Sequence, residues 1–292
     1  MEYSYYPGCS AHSTGLELGL STEATFHHLG LKLNELPDWN CCGATSAHSL
    51  NHTLSLALPA RNLALAQKAD RDLVIPCAAC YNRLRSADHA MRRDPKTRAE
   101  IEAAADMTYT GAVAIRPLLA VVAEDVGLAA LRQRVVRPLA GLKVVSYYGC
   151  LLVRPPAVVQ FDNPDDPQVM PAIVRSLGAE VLPWSHATDC CGGGVSLTRA
   201  DIVASLVGTL ADRAREAGAQ AFVSACPLCQ MNLEMRQHGK DKLPSFYFTE
   251  LMGLAFGLRE AEKWWTKHLI DPRPLLRSLG LVGSPAQTVV VA

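Results

Sequence analysis

Apolar positions along the chain switch repeatedly between helical and strand-like spacing. Residues 16–30 carry a helical pattern that closes at Gly30, a residue suited to the left-handed position just past a helix end. Leu31 to Leu36 then reads as a short strand. Residues 52–69 read as a helix with Leu54, Leu58, Leu63, Leu65 and Ala66 on a broad apolar face. Leu73-Val74-Ile75 is the short continuous apolar run of a buried strand, and a further helix is expected to begin at or within 77–80. The second part of the chain follows the same order: a strand over 142–147, helices over 172–177 and 199–217, and a strand over 220–225. The charged stretch 91–107 reads as a solvated helical excursion, and 116–137 as one or two linker helices. The chain from 250 onward reads as a helical tail that passes Trp264, Trp265, Pro272 and Pro274 before a flexible end. Strand–helix alternation of this kind predicts an α/β protein with parallel sheets flanked by helices.

The order repeats because the sequence does. Tyr6-Pro7-Gly8-Cys9 matches Tyr147-Tyr148-Gly149-Cys150, and Cys41-Cys42-Gly43 matches Cys190-Cys191-Gly192. Leu36-Pro37-Asp38-Trp39 resembles Leu182-Pro183-Trp184, and the run 72–77 aligns with 221–226. An internal duplication of this length predicts two similar Rossmann-like halves. The seam falls between about Pro138 and Leu142, so the first domain is expected over 1–141 and the second, with the helical tail, over 142–292.

Composition narrows the function. Of 292 residues, 49% are hydrophobic and 19% charged, enough apolar content for each half to bury a core. The formal net charge is zero, which argues against a nucleic-acid groove or a polybasic membrane patch. The N-terminus has neither the basic nor the apolar region of a secretory signal, and no apolar run reaches the length of a membrane span. A cytoplasmic protein is therefore expected, where clustered cysteines mean metal or redox chemistry more often than disulfides.

All ten cysteines belong to the repeat. Cys9 is followed after 31 residues by Cys41-Cys42, and after 34 more by Cys77-Ala78-Ala79-Cys80. Cys150 is followed after 39 residues by Cys190-Cys191, and after 34 more by Cys226-Pro227-Leu228-Cys229. One CxxC motif is weak as a signal, whereas two at one fixed distance from a Cys-Cys-Gly are strong. Thiolates suit zinc and iron–sulfur clusters. Five cysteines per half exceed the four of a structural zinc or an ordinary cubane. Two adjacent residues have Cα atoms about 3.8 Å apart, which is awkward around one small ion and easier around several irons. One zinc per half with a spare cysteine remains an alternative, and a strained disulfide between neighbours a weaker one. Gly43 and Gly192 to Gly194 allow the backbone to approach closely.

Together Tyr5-Tyr6-Pro7-Gly8-Cys9-Ser10, Asp38-Trp39-Asn40-Cys41-Cys42-Gly43, Pro76-Cys77-Ala78-Ala79-Cys80, Tyr148-Gly149-Cys150, Cys190-Cys191-Gly192-Gly193-Gly194 and Ala225-Cys226-Pro227-Leu228-Cys229 resemble the catalytic B subunit of heterodisulfide reductase, the family of twin CCG domains. The likeness runs through nearly the whole chain, to Lys267-His268 and Asp271-Pro272. It implies two noncubane 4Fe-4S clusters, one on Cys9, Cys41, Cys42, Cys77 and Cys80, the other on Cys150, Cys190, Cys191, Cys226 and Cys229. It also implies that the disulfide of coenzyme M and coenzyme B is cleaved between them to two thiols. The partners it implies are the ferredoxin-like C subunit and the flavoprotein A subunit of the same complex. The chain has no C-x2-C-x2-C-x3-C run and no G-x-G-x-x-G of its own, so electrons are expected from a partner. The likeness departs at His186-Ala187-Thr188-Asp189, where the family often has a lysine, and at Met170-Pro171, where it usually has an acidic residue. The substrate is therefore open between that disulfide and sulfur on a carrier protein, as in related bacterial complexes. A pure electron-transfer role is the further alternative.

Other residues are candidates by position. Arg83 and Arg154 lie near cluster cysteines and could hold an anion or cap a helix. His12 and His48 lie near the first motif set and have the pKa range for proton delivery, although a structural histidine is the commoner outcome. Asn82 and Asn232 read as turn caps. Trp264 and Trp265 suit either partner docking or a core.

Overall fold

The computed structural model describes residues 1–44 and 47–283. Residues 284–292, which include most of the end read as flexible, lie outside the described residues. Two four-stranded sheets are present, both parallel throughout. The first holds β1 (Glu2–Tyr5), β2 (Lys32–Glu35), β3 (Leu73–Ile75) and β4 (Ile115–Pro117) in the order β2-β1-β3-β4. The second holds β5 (Lys143–Tyr147), β6 (Glu180–Val181), β7 (Ala221–Ser224) and β8 (Ser245–Tyr247) in the order β6-β5-β7-β8. The two orders are the same, so the duplication holds in three dimensions and the fold is α/β as expected. β3 and β7 are buried along their whole length, which is why they read as unbroken apolar runs. β1, β4, β6 and β8 were not legible as strands, because two to four residues such as Glu2-Tyr3-Ser4-Tyr5 carry no apolar run. The one mark of β1 was the match of Tyr6 to Tyr147 at the end of a readable strand.

Helices cover the sheets. α1 (Leu16–His28) is followed by Gly30 at φ 74°, as its sequence predicts. α2 (His52–Ala69) is capped by Asn51, whose side chain accepts from the Leu54 N–H at 2.8 Å. Its buried face is Leu56, Ala60, Leu63 and Ala66, while Leu54 is exposed, so the apolar face is turned from the one read in sequence. α3 (Ala78–Arg93) leads into α4 (Pro95–Ala105), which starts at an Asp94 cap. α4 packs on α2 and α3 and buries Ile101, so the stretch 91–107 is a docked helix and not a solvated excursion. The linker becomes β4 followed by α5, which begins at Leu118–Ala120 and continues through a π-helical turn, Val121–Gly127. A break at Gly127 (φ 78°) then leads to α6 (Leu128–Gln133). The second half supplies α7 (Val169–Ser176), α8 (Ala200–Glu216), α9 (Pro227–Arg236) and α10 (Phe248–Ala255).

The halves exchange helices. α5 and α6, which follow the last strand of the first sheet, pack on α7 of the second half. α10, which follows the last strand of the second sheet, packs on α1 of the first half. This reciprocal covering ties the two sheets together and sets their carboxyl ends side by side. Among the described residues no helix is long and apolar enough to cross a membrane.

Candidate functional site

In each sheet the chain leaves the first strand toward one neighbour and returns on its other side. The crevice off the carboxyl ends between β1 and β3, and between β5 and β7, is therefore a topological switch point, where open α/β sheets hold ligands. The cysteines fall there. Cys9 follows β1 and Cys77 follows β3; Cys150 follows β5 and Cys226 follows β7. Each CxxC straddles a helix start. Cys77 is the N-cap of α3 and Cys226 the N-cap of α9, with Cys80 and Cys229 in the first turns. Free N–H groups and the helix dipole at that end favour thiolate over thiol.

The Cys-Cys-Gly loops bring the remaining thiols in. Cys42 Sγ lies 3.3 Å from Cys80 Sγ, and Cys191 Sγ lies 3.6 Å from Cys229 Sγ. Cys41 Sγ lies 3.9 Å from Cys9 Sγ. None of the ten is in a disulfide. Both loops are anchored alike: the buried Tyr6 hydroxyl donates to the Asn40 carbonyl at 2.8 Å, and the Tyr147 hydroxyl to the Asp189 carbonyl at 2.7 Å. Each accepting residue directly precedes a cysteine pair. The glycine before each lone cysteine is also required. Gly8 (φ 72°) and Gly149 (φ 62°) are left-handed, and a Cβ on either would stand 2.9 Å from the sulfur of Cys80 or Cys229.

The two sets adjoin. The Ala78 N–H donates to the Ala225 carbonyl at 3.3 Å across the halves, joining the residue after Cys77 to the residue before Cys226. A cavity of about 220 Å³ opens here, walled by all five cysteines of the second set. Ala44, His48, Ala78 and Arg83 of the first half line it as well. Arg83 is half-buried; one Nη donates to Asn82 Oδ1 at 2.8 Å, its Nε has no partner, and no carboxylate pairs with it among the described residues. Burial pulls the Arg83 pKa down, and Cys42 of one set and Cys150 of the other pull it up. It stands between the sets.

The thiols do not titrate independently. Hydrogen bonds from Cys42 and Cys9, helped by the Gly43 N–H, draw Cys41 far down. Cys190 is lowered to about 6, first by Cys150 and then, against burial, by the N–H groups of Gly192 and Gly193. Cys42 is pushed up to about 12, first by its bond to Cys41. Cys80 and Cys229, fully enclosed beside other sulfurs, are driven well above the ordinary thiol range. Like charges at such spacing oppose one another, so five thiolates need a cationic centre among them. The five thiols of the second set line one volume.

The other sequence candidates separate. His48 and Arg83 reach the cavity. His12 does not: it is exposed, stacks on Trp39 and meets Glu35 at 3.2 Å. Arg154 turns to the surface and pairs with Asp165 at 3.3 Å. Asn82 and Asn232 are more than turn caps. Buried Asn82 donates across the halves to the Leu151 and Arg154 carbonyls, and Asn232 donates to the Cys191 carbonyl at 3.0 Å. Trp264 and Trp265 are buried in the core, Trp264 against Gly253, and present no docking surface. Sequence reading missed Tyr6 and Tyr147 as loop anchors, although their alignment in the repeat was the available signal.

The chain is thus a duplicated parallel α/β protein with five thiols gathered at each switch point. The CCG cysteine-rich domain model matches residues 3–85 and 144–234, and the chain belongs to that family, with the domain present twice. It is 31% identical, over 94% of its length and 99% of the relative's, to the 8-methylmenaquinol:fumarate reductase membrane anchor subunit of Wolinella succinogenes. It is 27% identical, over 87% of its length and 89% of the relative's, to the B subunit of the ferredoxin:CoB-CoM heterodisulfide reductase of Methanosarcina mazei. An Archaeoglobus profundus protein, described as like the B subunit of heterodisulfide reductase, is 27% identical over 88% of the chain. The crystal structure of a hypothetical protein from Helicobacter pylori shares the fold, with a TM-score of 0.71 at 12% identity over 92% of this chain; the match spans 51% of that longer chain.

Proposed function

We propose that this chain is the iron–sulfur subunit of a multi-subunit oxidoreductase and holds two 4Fe-4S clusters on its two five-cysteine sets. Cys9, Cys41, Cys42, Cys77 and Cys80 hold one, and Cys150, Cys190, Cys191, Cys226 and Cys229 the other. The observation that carries this is the cavity walled by all five thiols of the second set and shared with the first half through Ala78, next to Cys77. A bound cluster supplies one-electron transfer, and two adjoining clusters suit a two-electron partner reaction. The residues around them have separate tasks. Tyr6, Tyr147, Gly8 and Gly149 hold the sulfurs in place. Arg83 offsets negative charge between the sets, and His48 closes the cavity from the first half.

The two-electron partner is read from the relatives. Higher identity and coverage favour a quinol-linked role, in which this protein passes electrons between a quinol and a partner reductase. Association with a membrane would then rest on a partner or on surface contact, since the described helices do not span. Cleavage of a disulfide to two thiols is the second reading, favoured by the relatives named for heterodisulfide reductase. It fits a half-buried cation and a thiol-walled cavity equally well. The first test is iron and acid-labile sulfide per chain on anaerobically prepared protein, with about eight of each expected for two four-iron clusters. Zinc without sulfide would overturn the reading. Mixing the reduced protein with a menaquinone analogue or with a mixed disulfide, and following cluster absorbance, then separates the two roles.

A further inference from the structure

Repetition of one motif does not make the two cysteine sets alike. In each half the helix that begins at the CxxC carries its second cysteine in the first turn, Cys80 on α3 and Cys229 on α9. The residue three positions further on shares that helix face. It is Arg83 in the first half and Asn232 in the second. Arg83 turns into the cavity, with one Nη donating to Asn82 Oδ1. Asn232 is 1% exposed and meets the cysteine pair itself. Its amide donates to the Cys191 carbonyl at 3.0 Å and to Cys191 Sγ at 3.5 Å. An amide nitrogen carries two hydrogens, one for each acceptor. Its orientation is fixed from the other side: the buried Ser196 hydroxyl donates to Asn232 Oδ1 at 2.5 Å. Arg236, one turn further along α9, donates to the Ser196 carbonyl at 3.3 Å. The reverse placement would set the amide oxygen against the Cys191 carbonyl, acceptor against acceptor.

A buried N–H aimed at a ligand sulfur stabilises negative charge there, and the stabilisation grows when the site takes up an electron. Hydrogen bonds to the sulfurs are one of the levers a protein has on an iron–sulfur potential. We propose that Asn232 is a positioning residue for the second cluster: through its bond to the Cys191 sulfur it raises that cluster's reduction potential, so that the second site is set separately from the first. The inference rests on the reading of two iron–sulfur clusters above. One electron from any one-electron donor enters the second site; the amide keeps both its protons and no bond breaks.

The other donors at the sulfurs do not distinguish the halves. The Gly192 N–H donates to Cys190 Sγ at 3.3 Å, and the Gly43 N–H to Cys41 Sγ at 3.4 Å, so that pair is common to both. Cys42 is the counterpart of Cys191, and its sulfur meets Cys80 at 3.3 Å. Among the described residues no side-chain amide or hydroxyl donates to it. The Asn232 bond is also sheltered: Cys191 is 4% exposed, so water does not compete for its sulfur. Asn232 does not line the cavity, and it acts on Cys191 rather than on a molecule entering there. A hydrogen bond to a charged acceptor moves an equilibrium by on the order of tenfold. For a one-electron couple that is about 59 mV.

The test is a redox titration of the intact, cluster-loaded chain followed by electron paramagnetic resonance. The unaltered protein is compared with Asn232→Leu, which keeps the side-chain volume and removes both donors. Cys41→Ser, which leaves only the second set complete, assigns the signals. The expected result is a second midpoint lower by about 59 mV, a tenfold change, with the first midpoint unmoved. A second midpoint that stays or rises, or two midpoints that move together, overturns the proposal and leaves the cluster reading intact. Absence of iron and sulfide from the unaltered chain overturns both. Should Asn232→Leu fail to fold or lose the second cluster, Ser196→Ala decides, because it removes the bond that orients the amide. A fall confined to the second midpoint then supports the proposal, and any other result overturns it.

Discussion

Asn82 of the first half donates a 3.0 Å hydrogen bond to the carbonyl of Leu151, the residue that follows Cys150 in the second half. The same amide donates to the Arg154 carbonyl at 2.8 Å, so one buried side chain holds the turn that carries Cys150. Asn82→Ala leaves two carbonyls unsatisfied at the seam, with an expected loss of about 1–3 kcal/mol. Denaturant unfolding measures it, and the second cluster's spectrum is expected to change with it.

Gly8 and Gly149 are glycines whose α-hydrogen no side chain can replace without meeting a cysteine sulfur. Alanine at either combines a left-handed backbone with a Cβ 2.9 Å from a cysteine sulfur. The strain alone is of order 1–3 kcal/mol. Gly8→Ala is expected to lower iron and sulfide by about half through the first set, and Gly149→Ala to do the same through the second. Metal analysis of the two variants and the double variant checks whether the losses add.

Cys41 and Cys190 are the thiolates that accept from their neighbours, at sulfur distances of 3.4 and 3.3 Å from the N–H groups of Gly43 and Gly192. Cys41→Ser and Cys190→Ser are each expected to cost one cluster and spare the other. A variant with unaltered metal content and spectrum would remove that cysteine from the ligand set.

Glu17 makes stability depend on pH. Its folded pKa of about 7 exceeds the unfolded 4.5, so the folded chain binds the extra proton between those values. Stability from this group is greatest below pH 4.5, declines as pH rises toward 7 and stays lost above it. Glu17→Gln removes the penalty and is expected to stabilise the chain above neutrality by about 3 kcal/mol, with little effect in acid. Thermal unfolding at pH 5 and pH 8.5 tests the sign.

His268 works the other way. Its folded pKa of about 11 exceeds the unfolded 6.5, so its contribution is complete below pH 6.5 and disappears as pH climbs through 11. His268→Gln strands two buried carboxylates and is expected to cost about 3–5 kcal/mol at neutral pH. Denaturant midpoints at neutral and alkaline pH should converge with those of the unaltered chain as pH rises.

The boundaries of α2 and β3 were readable to the residue, and those of α1 nearly so, because apolar spacing, an Asn51 cap and Gly30 act within a few residues of one another. β1, β4, β6 and β8 were not readable, since they carry no apolar run and their pairing partners lie tens of residues away. Asn82 was taken for a turn cap because nothing within its own helix shows that Leu151 would stand opposite.

Residue order alone was enough for the duplication, the α/β class and the two sets of five cysteines, because spacing along a chain dictates which thiols leave which strand end and helix start. It took the packed chain to show that α5 and α6 cover the second half while α10 covers the first. Packing also joined Ala78 to Ala225, brought His48 and Arg83 but not His12 or Arg154 to the cavity, and set His268 between Glu234 and Glu250. Those relations join residues far apart in sequence, and they follow from how whole helices bury their apolar faces, which no local pattern records.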